Sequence, residues 1–160
     1  MKRMNWIVLL PLGLLLTACQ TSPESDAIST EADVESLTEL ISQYDAVVNA
    51  RDVEAFLAFY TDNAVRMIPN EPVFIGKASF ESRAIEGFSN TEEDLRSTIE
   101  EIHVSGDWAS MRLSYTDTYT PSGADSPIDE IGKWLILFER QEDGSWKMAT
   151  EIWNVDTQRK

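Results

Sequence analysis

The sequence predicts an α+β domain in which a curved, mostly antiparallel sheet wraps around three helices from the N-terminal half of the domain. Three observations support this prediction. Apolar residues recur at spacings of three and four in the first half, which is the period of amphipathic helices. The second half consists of strand-like runs separated by turn residues, which is typical of consecutive strands. The strand-like runs span about ten residues or more, and strands this long indicate strong curvature.

Helix one is predicted from an apolar stripe in the segment TEADVESLTELISQYDAVVNARD. The stripe consists of Val34, Leu37, Ile41, Tyr44 and Val48. Asp52 is suited to cap a second helix, because an aspartate side chain accepts hydrogen bonds from the free N–H groups of the first turn. The face of that helix is predicted to comprise Val53, Phe56, Leu57 and Tyr60. A third helix follows Gly76, from Lys77 to about Phe88.

The strands are predicted from apolar runs separated by turn residues. Two short runs, 64–68 and 73–75, flank the turn sequence Pro-Asn-Glu-Pro and form a hairpin before the third helix. Four longer strands follow at 95–104, 108–119, 128–140 and 146–155. Ser-Gly-Asp, Pro-Ser-Gly-Ala-Asp-Ser-Pro and Glu-Asp-Gly-Ser separate them, so we expect consecutive strands to pair as antiparallel hairpins.

The first 18 residues have the layout of a secretory signal, with Lys2 and Arg3 ahead of an apolar stretch. The run Leu16-Thr17-Ala18-Cys19 resembles the lipobox of bacterial lipoproteins, in which the cysteine becomes the first mature residue and carries acyl chains such as palmitate. We therefore predict a lipoprotein signal peptide at 1–18, lipidated Cys19 with a flexible tether at 19–30, and one domain at 31–157. An ordinary cleavable signal with a chance cysteine is the alternative. Gln20 after the cysteine favours an exported protein anchored at the periplasmic face of the outer membrane.

Charge and motif content exclude several classes of partner. Loss of the first 18 residues leaves 11 basic and 28 acidic residues, a formal charge of −17. Such a domain repels nucleic acid and anionic membrane surfaces. His103 is the only histidine, and the zinc, haem, glycine-rich phosphate-loop and dinucleotide-binding motifs are absent. We therefore expect no metal and no cofactor.

Three segments resemble the nuclear transport factor 2-like superfamily, which includes ketosteroid isomerase and SnoaL-like polyketide cyclases. They are LISQYDAVVNARDVEAFLAFYTDNAV, RMIPNEPVFIGKASF and GKWLILFERQEDGSWKMATEIWN. The resemblance is greatest to SnoaL-like domains of unknown function. It implies a cone-shaped fold whose open end is an apolar pocket for a small molecule, with few charged groups inside. It also implies a homodimer through the sheet as one use for the tryptophans of the last three strands, the others being the core and an aromatic cage.

The resemblance to ketosteroid isomerase is incomplete at the catalytic positions. Tyr44 matches the helix-one tyrosine of that enzyme. Ile68 occupies the position of its carboxylate base, and the segment 134–138, where its second acid would lie, is entirely apolar. The carboxylates of that arrangement are therefore missing, which argues against isomerase chemistry of that type.

Asp117 is the best substitute for a catalytic carboxylate. Alternation places Ala109, Met111, Leu113, Tyr115, Asp117 and Tyr119 on one strand face. If that face lines the pocket, burial raises the pKa of Asp117, which then acts as a general acid or base with Tyr44 or Tyr115 as its partner. The alternatives are a solvated Asp117 near the strand end, and a Tyr44 that is a core residue with a satisfied hydroxyl group.

Other residues are candidates for lining the pocket. Arg66 either clamps a ligand carboxylate or pairs with Glu71 or Glu151. The remaining candidates are Met67, Ile68, Met111, Leu113, Tyr115, Trp134, Glu151 and Trp153. Three functions stay open: a lipoprotein that binds a small apolar ligand, an isomerase, cyclase or hydratase that uses an Asp–Tyr pair, and an envelope interaction protein without a ligand. The third predicts that side chains fill the interior of the cone.

Overall fold

The three predicted helices are present in the computed structural model, although the ends of the first two differ from the prediction. The structure describes residues 23–156, with side chains from Thr30 onward. The helices are α1 (Pro23–Ala50), α2 (Val53–Ala58) and α3 (Lys77–Asn90). Asp52 caps α2 as predicted, since its carboxylate accepts a hydrogen bond from the Ala55 N–H at 3.0 Å.

The prediction that Tyr60 belongs to the second helix is wrong. Tyr60 begins the first strand, because the chain here pairs with the last strand of the sheet: Phe59 O accepts a hydrogen bond from Met148 N at 2.8 Å, and Tyr60 lies opposite Met148. Sheet pairing therefore overrides the helical spacing after Ala58.

Six strands form a single mixed sheet. They are β1 (Tyr60–Met67), β2 (Phe74–Ile75), β3 (Thr91–Ser105), β4 (Trp108–Pro121), β5 (Ile128–Arg140) and β6 (Trp146–Val155), in the order β2-β1-β6-β5-β4-β3. All neighbours are antiparallel except β1 and β6, which are parallel. The predicted curved, mostly antiparallel sheet is thereby confirmed.

The helices pack on one face of the sheet and build the core with it. The predicted stripe of α1 supplies buried Leu37, Ile41, Tyr44 and Val48. The inner faces of the long strands supply Met111, Leu113, Ile136, Phe138 and Met148, all almost completely buried. The strand side chains of this set fill one end of the cone together with Leu37 and Ile41, and we call it the closed end. Each fully buried apolar side chain of this size contributes roughly 1.5–3 kcal/mol to stability.

The N-terminal predictions lie mostly outside the described residues. The signal peptide at 1–18 and Cys19 are in that part of the chain. Helix α1 begins at Pro23, inside the segment 19–30 that the sequence analysis assigned to the tether. Within residues 23–156, no helix combines the length and apolar character needed to cross a bilayer.

Candidate functional site

A cavity of about 190 Å³ opens at the other end of the cone, between the helices and the sheet. The inner faces of β4 and β5 continue from the closed end into this open end. Its apolar and aromatic walls include Tyr44, Val48, Phe56, Phe88, Leu95, Tyr115, Trp134 and Trp153. The interior of the cone is therefore only partly filled by side chains.

Eight of the eleven predicted pocket residues line this cavity. They are Tyr44, Arg66, Ile68, Tyr115, Asp117, Trp134, Glu151 and Trp153. The other three do not. Met111 and Leu113 lie on the predicted face of β4 but deeper, in the core of the closed end. Met67 follows Arg66 in β1 and its side chain therefore points to the opposite face of the sheet.

The cavity carries more charge than the sequence led us to expect. Four carboxyl groups line it, those of Glu93, Asp117, Glu130 and Glu151. Two guanidinium groups, those of Arg66 and Arg83, line it as well. The prediction of an almost uncharged pocket is therefore wrong, and the charges divide into a buried ion pair and an acidic wall.

The buried ion pair joins Arg66 of β1 to Glu151 of β6, which are opposite each other in the parallel pair. Glu151 also accepts a hydrogen bond from the Tyr60 hydroxyl at 2.9 Å, and that hydroxyl lies 3.2 Å from the hydroxyl of Tyr44. Burial is the largest single influence on Arg66 and opposes its charge, but Glu151 together with Tyr60 and Tyr44 outweighs burial, and the pKa of Arg66 is raised. Of the two roles considered for Arg66, pairing with Glu151 is thereby confirmed.

Aromatic rings surround the guanidinium group of Arg66. Its central carbon lies 5.0–5.4 Å from the ring centroids of Phe56, Tyr60, Phe80 and Trp153. Rings at this distance attract a cation through their π electrons. The ion pair is therefore stabilised on several sides, as a buried pair must be.

The hydroxyl of Tyr44 belongs to this network rather than to Asp117. Burial raises the pKa of Tyr44 far above its usual range, so this hydroxyl stays protonated at neutral pH. Because it is bonded to Tyr60, the interpretation of Tyr44 as a core tyrosine with a satisfied hydroxyl fits the structure.

The acidic wall is built on three adjacent strands. Asp117 of β4 lies directly opposite Glu130 of β5 on one side and Leu95 of β3 on the other. Glu93 is two residues before Leu95 in β3 and therefore lies on the same face of the sheet. Burial raises the pKa of Asp117 to about 6, and the negative charges of Glu130 and Asp94 add to the shift. Burial raises the pKa of Glu93 to about 7, with a further contribution from Asp117. Like charges on opposite strand positions repel each other, so protonation of one carboxyl group lowers the repulsion within this wall.

Asp117 Oδ1 is buried and has no hydrogen-bond partner among residues 23–156. The predicted tyrosine partner, Tyr115, is oriented elsewhere: its hydroxyl donates to Glu130 Oε1 at 2.9 Å. Burial and this bond to Glu130 raise the pKa of Tyr115. The structure therefore brings Asp117, Tyr44 and Tyr115 around one cavity, with both tyrosine hydroxyls bonded to other groups.

Gly132 places the ring of Tyr115. It lies opposite Tyr115 in the β4–β5 pair. A Cβ atom at Gly132 would lie 2.6 Å from two ring atoms of Tyr115 and 2.2 Å from the Asn154 carbonyl oxygen. Only glycine leaves room for this ring, and the ring in turn carries the hydroxyl to Glu130.

Sequence reasoning missed Glu93, Glu130 and Tyr60. A register for the β4–β5 hairpin would have revealed Glu130 opposite Asp117. Within the described part of the chain, no group of three or more histidine, cysteine or acidic side chains is arranged to hold a metal ion. His103 pairs with Glu101 at 2.6 Å on an exposed part of β3.

The comparisons with known proteins agree with this architecture. The family model of the SnoaL-like domain matches residues 41–148, more than half of the chain. Among curated proteins, no sequence matches. A solved ketosteroid isomerase-like protein from Erwinia carotovora atroseptica is 25% identical, with a TM-score of 0.72 over 78% of this chain and 96% of that one.

Two further solved structures share the fold at lower identity. A candidate scytalone dehydratase from Novosphingobium aromaticivorans is 12% identical, with a TM-score of 0.74 over 82% of this chain and 89% of that one. A conserved protein from Planctomyces limnophilus is 20% identical, with a TM-score of 0.72 over 78% of this chain and 98% of that one. The chain therefore belongs to the SnoaL-like domain family of the nuclear transport factor 2-like superfamily.

Proposed function

We propose that the domain binds a small organic molecule in the open-end cavity and moves a proton on it by acid–base catalysis, as isomerases and dehydratases do. The main support for this proposal is that Asp117 and Glu93 line the same cavity with pKa values of about 6 and about 7. Groups with a pKa near the working pH are the most effective general acids and bases. Solved relatives described as ketosteroid isomerase-like and as a candidate dehydratase give the proposal independent support.

The two carboxyl groups take different roles because their pKa values differ. At pH 7 Asp117 is mostly ionised and serves as the base that removes a proton from the ligand. Glu93 keeps its proton about half of the time, and the negative charge of Asp117 favours that protonated form, so Glu93 serves as the acid. Two acids with neighbouring pKa values replace the Asp–Tyr pair expected from the sequence.

Trp134 supplies a donor for the oxygen on which charge develops. This residue lines the cavity, and its Nε1–H is buried without an acceptor. Proton abstraction next to a carbonyl group places negative charge on the carbonyl oxygen, which an oriented N–H group stabilises. The aromatic walls hold the apolar body of the ligand by burying its surface.

The test is proton exchange on a panel of small cyclic ketones and β-hydroxy ketones, followed by NMR in D₂O. We expect the wild-type protein to catalyse exchange or dehydration of at least one compound, and Asp117→Asn to lower that rate at least 100-fold. Glu92→Gln is the matched control, because Glu92 precedes Glu93 in β3 but points outward. Full activity of Asp117→Asn would remove the proposal.

A binding protein without turnover is the second candidate function. It is favoured by Ile68, which lines the cavity at the position where ketosteroid isomerase has its base. This candidate predicts thermal stabilisation by a small apolar ligand with no exchange in the same NMR experiment. The third hypothesis, an envelope interaction protein with a filled interior, is disfavoured by the cavity of about 190 Å³.

We also propose that the protein is exported and anchored through acylated Cys19 at the periplasmic face of the outer membrane. Each buried methylene of an acyl chain stabilises attachment by about 0.8 kcal/mol, so two or three chains hold the protein permanently. Labelling of cells with a palmitate analogue should mark the wild-type protein and leave Cys19→Ser unmarked. Equal labelling of both proteins would contradict the anchor.

The outer face of the sheet supports the proposed homodimer. Leu135 and Leu137 of β5 and Ile152 of β6 are exposed by 39–46%, and Leu135 lies directly opposite Ile152. Contiguous apolar side chains on a sheet face are typical of subunit contacts. Leu135→Asp should convert a dimer to a monomer in sedimentation velocity, whereas a wild-type protein that is already monomeric at high concentration would exclude this dimer.

A further inference from the structure

The cavity contains more negative than positive charge once its ion pairs are counted. The guanidinium group of Arg66 is matched by Glu151, and that of Arg83 lies 3.1 Å from Glu71. In the part of the chain that the structure describes, Glu93, Asp117 and Glu130 have no ion-pair partner within 4.0 Å. These three carboxyl groups, the acidic wall, therefore give the cavity lining an excess of acidic over basic groups, although Arg83, Arg51 and Arg66 act on Glu93 from farther away.

Two residues of the cavity lining each have one buried acceptor oxygen without a donor among the described residues. Glu151 is 1% exposed and its Oε2 is unpartnered, although its Oε1 is bonded to Arg66 and Tyr60. Asp117 Oδ1 is the other. Buried carboxylate oxygens are normally hydrogen-bonded, because leaving them without a donor is costly. The cavity lining therefore has an excess of acceptors over donors, which favours a ligand that carries N–H donors over one that carries acceptors.

The remaining walls suit a cation as well. Rings of Tyr44, Phe56, Trp134 and Trp153 line the cavity, and aromatic faces attract positive charge. The molecule itself supplies an example, because Phe56 and Trp153 also lie against the cationic group of Arg66. Aromatic faces combined with carboxylates are the usual surroundings of a bound ammonium group.

From these observations we propose that the cavity takes an organic ammonium ion, a small apolar body with one protonated amine held against the acidic wall. This inference rests on the proposed function, because it assumes that the cavity is the ligand site. It specifies the chemical class of that ligand. The ammonium group neutralises one carboxylate of the three and leaves two for proton transfer.

The experiment compares three probes that share a phenyl ring and differ in charge. They are 2-phenylethylamine, 2-phenylethanol and 3-phenylpropanoate. Binding to the full-length protein in detergent is measured by quenching of tryptophan fluorescence at pH 7.5, since Trp134 and Trp153 line the cavity. We expect the amine to bind at least tenfold more tightly than the alcohol, and the carboxylate to bind most weakly.

Variants connect this preference to the acidic wall. Asp117→Asn, Glu93→Gln and Glu130→Gln should each reduce the advantage of the amine over the alcohol at least threefold. The outward-pointing Glu92→Gln removes the same charge nearby and should leave the advantage unchanged. Circular dichroism and the melting temperature of each variant establish that it is folded before its binding is compared.

Equal affinity for the amine and the alcohol, tightest binding of the carboxylate, or no binding of the amine would overturn the inference. Retention of the full preference in all three variants would overturn it too. The two proposals fail separately: if amine and alcohol bind equally while Asp117→Asn still abolishes proton exchange, acid–base catalysis stands and the ammonium class is wrong.

Discussion

The closed and open ends of the cone are built on the same strands but have opposite character. On β4, Met111 and Leu113 are almost completely buried in the core, whereas Tyr115 and Asp117 farther along the same face line the cavity. On β5, Phe138 belongs to the closed end and Trp134 to the cavity. Stability and chemistry are therefore separated by position along a strand, and alternation alone specifies only the face.

Substitutions at the closed end should lower the stability of the protein the most. Phe138→Ala leaves a cavity among fully buried apolar neighbours and should lower the free energy of unfolding by about 3–5 kcal/mol. Urea denaturation followed by circular dichroism measures the change. Because Phe138 does not line the open end, the variant that remains folded at low temperature should bind probes as the wild type does. A loss below about 1 kcal/mol would show that the closed end is not tightly packed.

The buried ion pair should give the next largest effect. Glu151→Ala leaves the guanidinium of Arg66 buried without its anion and should cost about 3 kcal/mol or more. The double variant Arg66→Met with Glu151→Leu removes both charges and should recover much of that loss. Urea denaturation of the wild type, Arg66→Met, Glu151→Leu and the double variant completes a double-mutant cycle. Additive effects of the separate changes would mean that the pair is not coupled.

Gly132 provides a smaller perturbation at the boundary between the two ends. In Gly132→Ala the new methyl group collides with the Tyr115 ring and with the Asn154 carbonyl, so the backbone has to shift. We expect a loss of about 1–3 kcal/mol in the same denaturation assay. The aromatic NMR signals of Tyr115 should move as its ring is displaced. Ala109, on the face of the closed end, offers a control through Ala109→Gly, which should not move those signals.

Asp117→Asn should have the smallest effect on the free energy of unfolding, and it should raise that free energy rather than lower it. At pH values below about 3 the carboxyl group is protonated in both the folded and the unfolded protein. As the pH rises toward 6, the unfolded form ionises first, because the folded pKa is raised to about 6, and the native protein loses stability. Above pH 6 the substitution should therefore stabilise the protein, by about 1–2 kcal/mol after allowance for solvent screening.

Thermal melts of Asp117→Asn and wild type between pH 4 and 8 test this linkage. The gain in melting temperature should grow across that range and level off above the folded pKa. Glu92→Gln should show no comparable trend, since its carboxylate is exposed. A destabilised Asp117→Asn at pH 8 would show that the ionised carboxylate is well stabilised in the native protein.

Much of the fold could be predicted because its periodicities are strong. The α1 stripe from Val34 to Val48 and the Asp52 cap were predicted from the sequence, and β5 and β6 have the bounds that the apolar runs predict. Tyr60 could not be placed from the sequence, because it has the helical spacing from Phe56 although its backbone pairs with β6. Tertiary pairing decided the outcome.

Half of the candidate site was hidden for a physical reason. The start of β3 reads Thr-Glu-Glu-Asp, and a strand with polar residues on both faces does not reveal which face points inward. Glu93 therefore could not be told from Glu92 or Asp94. Glu130 was hidden in the same way by Asp129 before it. Asp117 was recognisable because it interrupts an apolar row.

The proposed acid–base roles of Asp117 and Glu93 depend on their raised pKa values, which NMR titration measures directly. Carbon-13 labelling of the side-chain carboxyl groups allows each aspartate and glutamate to be titrated by NMR, with assignments from Asp117→Asn and Glu93→Gln. We expect titration midpoints of about pH 6 for Asp117 and about pH 7 for Glu93. Midpoints near 4 for both groups, the ordinary value of exposed carboxylates, would contradict it.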